Sequence, residues 1–138
     1  MKNKVAKDIK EAISKERLAL SELESIITDQ HVRFVKMAQD CHGRIIFTGI
    51  GKSGIIGKKL AATFSSTGTS AFFLDPTSGI HGDLGALGKG DVVVALSKSG
   101  NTEEVLRIIP YIKRLGIKLV AMTEHPGSEL GKHSDLVL

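Results

Sequence analysis

From Arg44 onward the chain repeats one pattern. A short, nearly continuous run of β-branched and apolar residues is followed by a turn, then by an apolar stripe at helical spacing. The runs are Arg44–Thr48, Ala71–Leu74, Asp91–Leu96 and Ile117–Met122, and another opens at Leu136. Strands apolar at almost every position are buried on both faces, and helices between them supply the crossovers that make neighbouring strands parallel. The pattern therefore specifies an α/β fold built on a doubly wound parallel sheet. Ligands of such sheets bind beyond the carboxyl ends of the strands.

The intervening helices are expected from near Ser53 to just before Gly68, from about Thr102 to Leu115 with Gly116 as its stop, and at Ser128–His133. Residues Thr77–Gly85 are too rich in glycine for a regular helix and read as a loop. That loop follows the second strand, so it carries His81 and Asp83 to the ligand-binding edge.

Residues 1–43 form a helical lead-in and residues 44–138 the sheet domain. Val5, Ile9, Ile13, Leu20, Leu23 and Ile27 recur at helical spacing between Lys and Glu. Thr28-Asp29 reads as a break and a new cap, and a second helix carries Val32, Val35 and Met37/Ala38 to about Gln39. Such a lead-in either packs on another subunit or covers its own sheet. The chain stops as its last strand begins, so the domain is expected to be truncated before the helix that would close that face.

The chain has 138 residues, enough for one domain, and a formal charge of +4. Its Lys and Arg are scattered rather than gathered in a stripe, and with no Trp and a single Tyr it is poorly supplied for stacking on bases. Nucleic acid is therefore not an expected partner; small anionic ligands suit the charge. Cys41 is alone, which excludes an internal disulfide, and Cys41-His42 has no second pair to build a zinc site, so no metal is expected. No run is apolar and long enough for a membrane span or a signal peptide core. The expected location is the cytoplasm.

Two turns have the chemistry of an anion site, with exposed backbone N–H groups, small hydroxyls and a helix N-terminus. The first is Gly49-Ile-Gly-Lys-Ser-Gly54 and the second Ser97-Lys-Ser-Gly-Asn-Thr102. Gly51-Lys52-Ser53 imitates the end of a Walker A motif, but the glycine that motif needs five residues earlier is Ile46. Gly49-x-Gly51-x-x-Gly54 does fit a dinucleotide fingerprint, with Asp75 as the acidic residue after the second strand. A dinucleotide site leaves Ser97, Ser99 and Thr102 without a role, however. In a phosphate site their hydroxyls donate to phosphate oxygens and Gly100 lets the backbone approach closely.

On the segments Gly49–Phe64, Ser66–Thr69, His81–Gly85, Ser97–Thr102 and Ile109–Leu115 the sequence resembles the sugar isomerase (SIS) domain family, particularly its arabinose-5-phosphate isomerases. The resemblance covers the chain from about Ile9 and implies a flavodoxin-like SIS domain. It implies interconversion of D-arabinose 5-phosphate and D-ribulose 5-phosphate, a step toward the Kdo sugar of lipopolysaccharide, without a cofactor. By the same resemblance Ser53, Ser97, Ser99 and Thr102 hold the sugar phosphate, and Lys52, His81 and Glu104 stand at the reacting end. It further implies a homo-oligomer, dimer or tetramer, with active sites near subunit contacts. Lys98 departs from the family's usual uncharged amide. A further catalytic Glu and a later His of the family fall beyond Leu138, so the chain is expected to bind but to be catalytically incomplete.

Moving a proton between C1 and C2 through an enediol needs a base, a group to stabilise the developing oxyanion and help with ring opening. Glu104 is the in-chain carboxylate nominated as base, although a first-turn Glu also simply complements a helix dipole. Lys52 offers a compact cation for the enediolate or a counter-charge for phosphate. His81 is a proton shuttle or a turn residue. Two other functions remain open: a non-catalytic phosphosugar-sensing module, and a dinucleotide-binding domain.

Overall fold

The computed structural model describes residues 2–138. Helices α1 (Lys2–Ser25) and α2 (Asp29–Gln39) precede β1 (Ile45–Thr48), α3 (Gly51–Ser66), β2 (Ala71–Leu74) and α4 (Pro76–Ile80). A 3₁₀ turn at Asp83–Ala86 leads to β3 (Val92–Leu96), α5 (Glu103–Arg114), β4 (Lys118–Met122), α6 (Glu129–His133) and β5 (Leu136–Val137). The strands form one five-stranded sheet in the order β2-β1-β3-β4-β5, and every pairing is parallel. The doubly wound parallel sheet expected from the alternating pattern is thus the observed one. Its order reverses between β1 and β3, so the crossovers leave on opposite faces there and open a crevice at the carboxyl edge.

Strand residues divide by parity. Ile45, Phe47, Val92, Val94, Leu96, Val120 and Leu136 face the side covered by α3 and by part of α2. Ile46, Val93, Ala95, Leu119 and Ala121 face the side covered by α5. Helix α5 binds through Val105, Ile108, Ile109 and Ile112, all buried at one-turn spacing. Its first turn carries Glu103 and Glu104 and its last turn Lys113 and Arg114, each matching the helix dipole. Helix α3 instead buries Gly54, Gly57 and Ala61. A Cβ on Gly54 would lie 2.7 Å from the Gly49 carbonyl oxygen, and one on Gly57 would lie 3.0 Å from the Phe73 ring. These glycines let α3 lie closely on the strands and bring its first turn onto the crevice.

At the opposite edge of the sheet, Asp135 ties β4 to α5. It accepts from the Leu119 N–H at 2.9 Å and pairs with Lys113 and Lys118 at 3.0 and 3.3 Å. Burial pushes its carboxyl pKa up, but the Leu119 N–H and the two ammonium groups outweigh burial and hold it below the ordinary range.

Two expectations are corrected. Part of the stretch expected as loop is helical, because the Asp75 carboxylate accepts from the N–H groups of Thr77 and Ser78, and Pro76 presets the first turn. The second concerns the lead-in. Helix α2 reaches the core through Phe34, Met37 and Ala38, whereas Val32 and Val35 are 49% and 53% exposed. No described residue of α1 joins either core cluster. Its Val5, Ile9, Ile13, Leu20 and Leu23 are all exposed. Within the lead-in, α2 covers part of the sheet and α1 covers none of it, the two helices being separated by the break at Thr28. No helix among the described residues is long and apolar enough to cross a membrane.

Candidate functional site

The crevice between β1 and β3 is flanked by the two turns singled out in the sequence. On the β3 side Ser97 is buried, and its Oγ lies 2.7 Å from Thr102 Oγ1 while accepting from the Gly100 N–H at 3.1 Å. Ser99 Oγ accepts from the Asn101 N–H at 3.2 Å. Gly100 has φ +66°, and a Cβ there would lie 1.9 Å from Ser128 Oγ, so both backbone sign and space demand glycine.

The loop is braced from the far end of β4. Gly100 O accepts from the Leu130 N–H at 2.9 Å, and Asn101 Oδ1 from the Glu129 N–H at 3.1 Å. Lys98 O accepts from Thr123 Oγ1 and from the Glu124 N–H, each at 3.2 Å. This buttress of Thr123, Glu124, Ser128 and Glu129 escaped the sequence reading. Its one signal was position, since Thr123 and Glu124 follow β4 at the same carboxyl edge.

The helices that begin at the crevice start without side-chain caps. Neither Ile50 before α3 nor Thr102 before α5 makes a capping bond, the Thr102 hydroxyl being spent on Ser97. Helices α4 and α6 are capped by Asp75 and Ser128. Uncapped first turns leave N–H donors and a partial positive charge for an anion. Beside them a depression of about 350 Å³ is lined by Lys52, Ser53 and Ile56 from α3, by Ser97 and Lys98 from the β3 loop, and by Thr123 and Glu124 after β4. Leu138 completes one wall.

The structure therefore brings Lys52, Ser53 and Ser97 to one surface. Ser99, Gly100 and Thr102 complete the loop behind Ser97 without lining the depression. His81 and Glu104 also stand outside that lining. His81 is exposed and ends α4, and Glu104 is half-buried in the first turn of α5. Asp75, the acidic residue of the dinucleotide reading, is occupied as the cap of α4.

The family model described as "SIS domain" matches residues 39–138. The chain belongs to the SIS domain family. Among curated SIS relatives it is 46% identical over 126 residues to the arabinose 5-phosphate isomerase KdsD of Pseudomonas aeruginosa, covering 91% of this chain and 39% of that protein. It is 43% identical over 129 residues to KdsD of Yersinia pestis, covering 94% of this chain and again 39% of the relative. The chain thus spans about two fifths of the length of these relatives. Among solved structures, an E. coli CFT073 protein in complex with arabinose 5-phosphate superposes with a TM-score of 0.91 at 40% identity, over 98% of this chain and 72% of that one. Vibrio vulnificus NanR, complexed with ManNAc-6P, shares the fold at a TM-score of 0.81 and 24% identity, over 94% of this chain and 50% of its own.

Proposed function

We propose that this chain binds a phosphosugar across the β1/β3 crevice and supplies the substrate-binding part of an isomerase that converts D-arabinose 5-phosphate to D-ribulose 5-phosphate. The observation that carries the reading is one crevice on which the uncapped first turn of α3, with Lys52 and Ser53, meets Ser97 of the β3 loop. Supporting it are the relatives named arabinose 5-phosphate isomerase and the likeness to a structure holding that sugar phosphate. In this reading the hydroxyls of Ser53, Ser97, Ser99 and Thr102, with the N–H groups around Gly100, grip the phosphate ester. Residues 44–138 form the binding unit, residues 1–43 a lead-in, and the protein works in the cytoplasm without a cofactor.

The reacting carbons then lie toward Lys52. A base takes the C2 proton, negative charge collects on the C1 oxygen, and the proton returns to C1 to give the ketose. The Lys52 ammonium stabilises the enediolate. In this reading Glu104 is the base, and His81 moves protons between oxygens and assists ring opening. A second reading is a phosphosugar-binding module without turnover, and one feature favours it: His81 and Glu104 are absent from the lining of the depression. The exposed α1 stripe of Val5, Ile9, Ile13, Leu20 and Leu23, continued by Ile27, is proposed as the contact with a second copy of the chain.

Calorimetric titration with arabinose 5-phosphate and with NAD tests the binding step. Arabinose 5-phosphate should bind, and Ser99→Ala should weaken it about tenfold, the value of one charge-assisted hydrogen bond. Binding of NAD alone would overturn the reading. Ketose formation, followed in parallel, separates the isomerase from the binding module.

A further inference from the structure

The ion pair between Lys98 and Glu124 lies over the same depression and has no place in the scheme above. Lys98 sits between Ser97 and Ser99, and its backbone is pinned because its carbonyl accepts from both Thr123 Oγ1 and the Glu124 N–H at 3.2 Å. Its side chain is otherwise loose. The ammonium stands 3.6 Å from Glu124 Oε2, beyond a good hydrogen bond, and the two side chains are 87% and 58% exposed. A fixed root with a weakly held, solvated head is the arrangement of an arm that can change partner. The root belongs to the anion loop, and Lys98 lines the same depression as Ser53 and Ser97.

We propose that Lys98 and Glu124 form an exchangeable latch that makes the site selective for dianionic phosphate esters. With the site empty, Glu124 holds the ammonium. When a phosphate enters, its charge of nearly −2 outbids the single charge of the carboxylate and Lys98 transfers to the ligand. A monoanion such as a sugar carboxylate carries no more charge than Glu124 and does not displace it. Glu124 is therefore a built-in competitor, and Lys98 a specificity-determining residue for the charge of the ligand. Exposed ion pairs are weak, so the barrier to exchange is small and its effect on affinity moderate. The inference rests on the phosphosugar reading of the crevice but adds residues that reading does not use.

The test is a double-mutant cycle on the chain, titrated calorimetrically with arabinose 5-phosphate and with arabinonate, a monoanion of the same carbon skeleton. Lys98→Gln should weaken arabinose 5-phosphate binding about fivefold to tenfold and flatten its dependence on salt. Glu124→Gln should tighten it about threefold and improve arabinonate by a larger factor. In the Lys98→Gln background, Glu124→Gln should have little further effect, because the competitor has lost its prize. An equal gain with and without Lys98 would mean that Glu124 acts by simple repulsion, and would overturn the latch. So would unchanged affinity in Lys98→Gln while Ser99→Ala weakens binding, a result that leaves the phosphosugar reading standing. Failure of the unaltered chain to bind arabinose 5-phosphate would remove both.

Discussion

Gly100→Ala strikes the point where loop geometry and tertiary packing meet. The added Cβ would enter a backbone with φ +66°, which costs an L-residue about 1 kcal/mol. It would also stand 1.9 Å from Ser128 Oγ and 2.4 Å from Ser128 Cβ. Ser128 is buried and cannot simply swing into solvent. Moving it breaks its cap on the Gly131 N–H, worth about 1 kcal/mol, and displacing the packed segment adds about 1–3 kcal/mol. The expected destabilisation is about 4 kcal/mol, which on a domain of this size lowers Tm by on the order of 12 °C. Urea and thermal unfolding followed by circular dichroism would measure it, with arabinose 5-phosphate affinity measured on the same samples. The decisive comparison is Gly100→Ala in a Ser128→Gly background. There the clash with Ser128 is gone, and the cost should fall to the backbone cost of about 1 kcal/mol plus a small adjustment of Thr123, whose Oγ1 would lie 3.0 Å from the new Cβ. An undiminished cost in that background, or a single variant within about 1 kcal/mol of the parent, would show that Ser128 does not shape the loop.

Other perturbations probe separate parts of the molecule. The Asp135 carboxyl is held below its ordinary pKa, so its stabilisation is complete above about pH 4 and is lost as pH falls through the lowered value. Asp135→Asn should therefore be less stable than the parent near neutrality by about 1 kcal/mol, with the gap closing in acid; a gap independent of pH would count against the assignment. Thr48 Oγ1 is buried without a protein partner at the end of β1, so Thr48→Val should keep or raise stability by up to about 1 kcal/mol, and a clear loss in denaturation would reveal a hidden partner. Ile9→Asp with Ile13→Asp should shift sedimentation from dimer or larger toward monomer while leaving the circular dichroism of the sheet domain intact. A monomeric parent would refute the proposed role of α1.

Much of the fold was legible because its signals are local. The apolar run Val92–Leu96 has to be buried on both faces, and Val105, Ile108, Ile109 and Ile112 mark one face of a helix whatever surrounds them. The small helix α4 was not legible, because one carboxylate, that of Asp75, outweighs the loop tendency of its glycine-containing segment. Nor was the burial of α2: Val32 and Phe34 are both apolar, and only the angle at which the helix meets the sheet decides which is covered.

The candidate site divides in the same way. Ser97, Ser99, Gly100 and Thr102 announce an anion loop by type and spacing, because hydroxyls, a glycine and a following helix are sufficient chemistry wherever they occur together. Their geometry depends on residues about 25 positions later, such as Thr123 holding the Lys98 carbonyl and Ser128 filling the space beside Gly100. The sequence by itself determined the alternating elements, the parallel sheet and the two anion turns, all consequences of periodicity and residue chemistry. Only the tertiary structure decided that the turns share one crevice, that Lys98 pairs with Glu124 at its β3 side, and that α1 leaves its apolar stripe uncovered. Those facts follow from strand order and crossover direction, which join residues that no local pattern relates.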